Sequence, residues 1–308
     1  MHKPAGLQEN VTLAPYTTLK IGGPARYFVI VKTATEAETA VTWGAARQLP
    51  LRVLGDGGNT LISDAGFPGL VIIMKNDQCA WETPAVLAGA GTKVGQLIAG
   101  GLQRGLGGLQ WLIGVPSTVG GALYGNAGGH GWGLGDMVEY IDIITHAGER
   151  RRLARADCGF GYRTSAFKQH PDWVILQARL QLNNIDPTAE RKLMATTTAQ
   201  KNAAQPTSLQ SAGCMFMNPT VEAEALPDGL GAHVSADGKI SAWRLITAVG
   251  LQGYQHGRMQ ISPKHANFMI NLGGATADQV VQLLSLVKQR VRDTVGVQLH
   301  EEVQYVGF

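Results

Sequence analysis

Apolar positions along the chain fall into short runs separated by glycine-rich turns, with a few stretches of helical spacing. Residues 16–32 read as a strand pair that turns at Ile21-Gly-Gly-Pro24 and continues from Tyr27 to Val31. Thr33-Ala-Thr-Glu36 reads as a capping box, with Ala37, Ala40 and Val41 on the buried face of the helix it opens. Short apolar strands are expected at 51–54, 70–74 and 85–90, and Thr92 is expected to cap a helix that buries Val94, Leu97, Ile98 and Leu102. Residues 105–135 read as glycine-rich loop, and 137–180 as several strands. Pro187–Ala204 is a helix candidate, and 205–275 reads as loops and short strands. Thr276-Ala-Asp-Gln279 is a second capping box, before Val280, Leu283, Leu284, Val287 and Val291 at helical spacing. A last strand is expected over 297–306.

Composition narrows the picture. The 308 residues are 44% hydrophobic and 16% charged, enough to fold as more than one globular domain. A net charge of +3 without basic clusters gives no case for nucleic acid. No apolar run is long enough to span a membrane, and the polar N-terminus carries no secretory pattern. Cys79, Cys158 and Cys214 have neither metal-ligand nor disulfide spacing, and as free thiols they fit a cytoplasmic protein. The 40 glycines are many for this length, and they cluster where backbone can approach a ligand closely.

Several segments carry candidate chemistry. Gly55-Asp-Gly-Gly-Asn-Thr60 follows a strand, so its amides can meet an anion, but it lacks the dinucleotide spacing and also reads as a plain turn. In Gly114-Val-Pro-Ser-Thr-Val-Gly-Gly121 the hydroxyls of Ser117 and Thr118 can donate to phosphate oxygens. Asn126, in Asn126-Ala-Gly-Gly129, can read a ring edge; a purely structural glycine loop is the alternative. Arg163, in Phe160-Gly-Tyr-Arg-Thr-Ser-Ala-Phe-Lys168, can clamp a carboxylate in bidentate fashion or be an ordinary surface arginine. Cys214 follows a glycine and precedes Asn218 by four residues, an arrangement no connecting loop requires. His265, in Ser262-Pro-Lys-His-Ala-Asn267, is either a ligand contact or a hydrogen-bonded structural histidine. Of the adjacent Glu301 and Glu302, strand alternation lets only one face a site.

Together these segments resemble the UDP-N-acetylenolpyruvoylglucosamine reductase family, in the family's order, from about residue 17 to residue 307. The resemblance implies an α/β (α+β) fold: a two-part FAD-binding domain of the vanillyl-alcohol-oxidase-like type over 1–195, with subdomains of about 1–78 and 79–195, and an α+β substrate domain over 196–308 whose last strand returns to the active site. It implies reduction of UDP-N-acetylglucosamine enolpyruvate to UDP-N-acetylmuramate, with FAD bound and NADPH as co-substrate, in the bacterial cytoplasm. FAD contacts are implied for Gly55, Gly57, Gly58, Asn59, Thr60, Leu61, Gly114, Pro116, Ser117, Thr118, Gly120, Gly121, Asn126, Ala127 and Gly128. Substrate contacts are implied for Tyr162, Asn218, Lys264, His265 and Asn267. Arg163 and Glu302 are implied to stabilise the enolate, and Cys214 to donate the proton where the family pattern has serine. The compact substrate domain is like the shorter of the family's two types. Met217 departs from the pattern, standing where lysine is usual. A flavin oxidase with the same FAD half, or a non-catalytic FAD or UDP-sugar binding relative, are the alternatives.

Overall fold

The computed structural model describes residues 2–129, 131–227 and 229–308. Its contacts divide the chain into two units. The first takes the described residues up to Val11, then Ala25–Asp56 and Phe67–Lys201; the second takes Thr12–Pro24, Gly57–Gly66 and Asn202–Phe308.

In the first unit Pro24–Val31, Phe67–Met74 and Leu51–Leu54 lie parallel in one sheet, with Gln8–Thr12 at its edge. Parallel neighbours need a crossover, and the helix Ala34–Ala45 supplies one. It starts where expected: Thr33 Oγ1 accepts from the Glu36 amide at 3.1 Å. Residues 70–74 are buried, as the middle strand of a parallel sheet must be. A second, antiparallel sheet runs Arg150–Ala154, Val138–Thr145, Trp173–Gln181, Ala85–Gly89, Cys79–Glu82. One apolar core, from Val29 through Leu182, joins these layers.

Four local expectations change. Residues 17–23 form no strand, because Thr17 Oγ1 bonds the carbonyls of Ala14 and Ile21 and coils the segment into turns. The helix Val94–Leu102 is preceded by Lys93, while Thr92 is buried against Cys79 and caps nothing. The glycine-rich stretch contains a short helix, Val119–Tyr124, that Thr118 caps through the Gly121 amide at 3.3 Å. At the C-terminus only Gln304–Val306 is regular strand.

The second unit has its own core, built on the helix Ala277–Val295, whose inward face holds Val280, Leu283, Leu284, Val287 and Val291. Thr276 caps it through the Gln279 amide, and Gly296 ends it at φ 78°, the left-handed conformation that glycine adopts without a Cβ penalty. Beside it lie the helix Ala242–Ala248 and a three-stranded antiparallel sheet of Gln255–His256, Met259–Ile261 and Met269–Asn271. Two early segments join this unit for visible reasons. Thr60–Ile62 pairs in parallel with Gln304–Val306, and Asn271 Nδ2 donates to the Leu19 carbonyl at 2.9 Å. No described helix is long and apolar enough to cross a membrane.

Candidate active site

In the first unit the two glycine loops meet. A Cβ on Gly55 would collide with Thr118 Oγ1, so the end of strand Leu51–Leu54 can approach the cap of Val119–Tyr124 only as glycine. Ser117 Oγ donates to the Thr118 carbonyl at 3.1 Å. The Val119 and Gly120 amides donate to the carbonyls of Thr92 and Ala90, both at 2.8 Å. Gly120 is needed for that packing: a Cβ there would stand 2.9 Å from Ala90 Cβ. Gly114 opens the loop at φ 74°. The carbonyls of Trp111 and Ile113 just before it accept from Lys201 Nζ at 3.2 and 2.7 Å, and burial pushes that ammonium's pKa down. No sequence motif singles out Lys201, which reads as one more polar residue of a helix.

Asn126 has a structural job. It sits at φ 42°, its Nδ2 donates to the Gly161 carbonyl and its Oδ1 accepts from Gly135, both at 2.9 Å. Ala127 donates to Ala122 at 2.7 Å and accepts from Leu134 at 2.9 Å, and Gly128 pairs with Gly133 in a hairpin. The Asn126 amide therefore links this turn to the segment bearing Arg163. There Gly161 and Thr164 bond each other across Tyr162 and Arg163, which form a tight hairpin turn. Arg163 adopts φ 55°, a left-handed conformation costing on the order of 1–3 kcal/mol in a non-glycine residue and concentrated at functional positions. Lys168 Nζ donates to its carbonyl at 2.7 Å, and buried Ser165 donates to Tyr124 at 2.7 Å. Its guanidinium carbon lies 5.4 Å from the centre of the exposed Tyr162 ring. Cys158 is fully buried, and burial beside Asp157 pushes its thiol up to about 11, which leaves it inert packing.

In the second unit, Cys214 follows Gly213 at φ 79° and bridges to Phe268. The next residues are clamped by Asn267. Its carbonyl accepts from Met215 at 2.8 Å, its Oδ1 from Phe216 at 2.9 Å, and its Nδ2 donates to the Phe216 carbonyl at 2.8 Å. Asn267 is only 3% exposed, so its side chain holds the Cys214 segment. Replacing it with alanine strands a buried N–H and a buried C=O, an expected cost of roughly 2–4 kcal/mol, read as a lower denaturant midpoint at unchanged slope. Asn218 Oδ1 accepts from Ala242, the first residue of the helix Ala242–Ala248, at 3.0 Å. Lys264 Nζ reaches the Asn202 carbonyl. His265 is half-buried against Trp243 and Phe268, its ring pKa lowered by burial, and its buried Nδ1 lacks a partner among the described residues.

Glu302 adjoins this segment: its amide donates to the Met215 carbonyl at 2.8 Å. Glu301, on the alternate side, pairs with Lys288 at 2.9 Å. Asn59 meets Glu302 through its side chain, Nδ2 donating to the Glu302 carbonyl at 3.1 Å. Lys288 occupies the Glu301 carboxylate, while the Glu302 main chain is bonded to the Cys214 segment, an arrangement that favours Glu302 over Glu301.

Residues 25–154 match the family model described as an FAD binding domain, and residues 205–306 match the one described as UDP-N-acetylenolpyruvoylglucosamine reductase, C-terminal domain. A UDP-N-acetylenolpyruvoylglucosamine reductase of Prochlorococcus marinus is 36% identical over 98% of this chain and 94% of its own length. The chain belongs to the UDP-N-acetylenolpyruvoylglucosamine reductase family. A reductase of this name from Synechococcus is likewise 36% identical over 98% of the chain and 91% of its own length. The crystal structure of the Thermus caldophilus reductase superposes with a TM-score of 0.77 at 33% identity, covering 96% of this chain and 97% of that one.

The family's flavin cofactor can be tested against the loops. Among the described residues no backbone carbonyl accepts from the amides of residues 55–59, a run of donors suited to phosphate oxygens. Gly57, at φ 60°, has no room for a Cβ beside the Tyr16 carbonyl. Asp56 would oppose an anion, but it is paired with Lys93 and, at 3.5 Å, with Lys75, which leaves the cluster net positive. Asn59 Oδ1 is buried without a partner among the described residues, an acceptor for an N–H or O–H donor. FAD carries both the diphosphate and such donors, and the residues fit it.

Proposed function

We propose that the glycine-loop residues 55–61 and 114–128 hold FAD, and that Cys214 and Glu302 in the second unit act on the UDP-sugar. The chain is an NADPH-dependent, FAD-containing UDP-N-acetylmuramate dehydrogenase, and it reduces UDP-N-acetylglucosamine enolpyruvate. FAD, when bound, supplies the hydride chemistry. The protein supplies position, charge and one proton.

The amides of residues 55–59, with the Ser117 and Thr118 hydroxyls, hold the cofactor's diphosphate. As hydride arrives at the methylene carbon of the enolpyruvyl group, charge develops on the neighbouring carbon and its carboxylate. Arg163 and Glu302 stabilise that charge, and the Cys214 Sγ–H protonates the carbon bearing the carboxylate. The double bond becomes C–H on both carbons, one hydrogen from hydride and one from the thiol. A thiol is a stronger acid than the serine hydroxyl of the family pattern, so the substitution keeps the chemistry. Lys264 and His265 are assigned to the sugar diphosphate, and Tyr162 is a further substrate contact. Asn218 and Asn267 act through the segment they hold.

The observation that carries this reading is the bond from the Glu302 amide to Met215. It sets the carboxylate-bearing residue beside the proton-donor segment. Matched relatives span both domains, which leaves an oxidase sharing only the FAD half without support. The test is an anaerobic titration. NADPH is expected to bleach the flavin absorbance, and added UDP-N-acetylglucosamine enolpyruvate to restore it, with a product two hydrogens heavier. Bleached protein that the sugar does not reoxidise would contradict the assignment.

A further inference from the structure

Three segments of the second unit converge on the backbone of Glu302. Its amide is bound by Met215, one residue past Cys214. Its carbonyl accepts two side-chain amides at once, Asn59 Nδ2 at 3.1 Å and Gln304 Nε2 at 2.8 Å. The Gln304 amide in turn donates to the Asn59 carbonyl at 3.0 Å, so Asn59 is bonded twice to this segment. A carbonyl oxygen has two acceptor positions, and here both are used.

This double acceptance has a reason in the fold. Regular strand begins at Gln304, and the bridge before it joins Glu301 and Phe216. Among the described residues the peptide between Glu302 and Val303 therefore has no ladder partner for its carbonyl. Two side-chain amides take the place of that ladder. The peptide planes on both sides of Glu302 are then fixed, and with them the direction in which its side chain leaves the chain.

We propose that Gln304, with Asn59, is a positioning residue for Glu302: the two amides lock the peptide that aims its carboxylate. The proposal rests on the role given to Glu302 above. It adds Gln304, whose side-chain amide is bonded to the Glu302 carbonyl. It also gives Asn59 a second task, tying the glycine loop to the carboxylate-bearing residue. Misplacement of a reacting group by about 1 Å can cost as much as 100-fold. Releasing one of two donors is expected to cost less.

The test uses the FAD-loaded enzyme and two variants, Gln304→Met, close in shape but without the donor, and Glu302→Gln. Stopped-flow absorbance separates flavin bleaching by NADPH from its recovery with UDP-N-acetylglucosamine enolpyruvate. For Gln304→Met, recovery is expected to slow about 10-fold. Bleaching rate, flavin-to-protein ratio and the apoprotein's thermal midpoint are expected to stay near those of the native protein. The double variant is expected to recover no more slowly than Glu302→Gln alone, since the two changes remove one function. Unchanged recovery, equal losses in both half-reactions, or losses that add fully in the double variant would overturn the positioning role. Native recovery in Glu302→Gln would instead show that the role of Glu302 itself is wrong, and the proposal falls with it.

Discussion

Cys214→Ala is expected to slow reduction of the enolpyruvyl group by roughly 10²–10⁴, the usual contribution of a positioned general acid. Bleaching of the flavin by NADPH needs no proton from this group and should continue at the native rate. Cys214→Ser is expected to recover much of the lost rate, because a hydroxyl can occupy the same place and donate. The local structure favours a clean result. Met215 and Phe216 are held through their main chain by Asn267 and Glu302, bonds that do not involve the sulfur and that Cys214→Ala leaves in place. Alkylation should stop turnover, and bound substrate should protect. Cys158 gives the internal control, since its buried thiol is pushed up to about 11 and should resist the reagent. Native rates of enolpyruvyl reduction in Cys214→Ala would remove the thiol from the mechanism.

Much of the fold was legible because its signals are local. The Thr33 and Thr276 caps and the apolar face from Val280 to Val291 depend on residues within one helix. The reading failed where distant partners decide. Residues 297–303 have strand-like alternation but no continuous neighbour, so regular pairing starts at Gln304. Thr92 looks like a cap in sequence, but its hydroxyl lies against Cys79. The site divides in the same way. Motifs indicate which segments matter, not what each side chain does within them. Asn126, Asn218 and Asn267 are expected ligand contacts from their motifs, and what the sequence does not show is that their amides also hold Gly161, Ala242 and Phe216. Gln304 carries no sequence signal, because its partner is a main-chain carbonyl. Met217 stands where the family pattern has lysine, and its main-chain amide donates to the His300 carbonyl at 2.9 Å, a bond indifferent to the side chain.

Arg163→Ala and Glu302→Ala are each expected to leave flavin content and bleaching by NADPH near native, and to slow enolpyruvyl reduction by roughly 10²–10³, the scale for losing one electrostatic stabiliser of a developing oxyanion. The split follows from when the charge exists. Both groups are assigned to an enolate that forms only after hydride reaches the substrate, so kcat for that half-reaction should fall more than substrate binding weakens. The two residues should differ in one respect. Arg163 is also assigned to the ground-state carboxylate, so its loss should raise KM as well, whereas Glu302→Ala should act on kcat. Arg163→Lys is expected to behave more like alanine than like a conservative change, since a point charge cannot reproduce the bidentate fork. The strained φ of 55° adds a stability signature. Arg163→Gly removes the guanidinium and relieves the Cβ strain together, so it should be no less stable than Arg163→Ala and equally slow. If bleaching by NADPH falls as far as enolpyruvyl reduction in either alanine variant, that residue serves the cofactor and not the enolate.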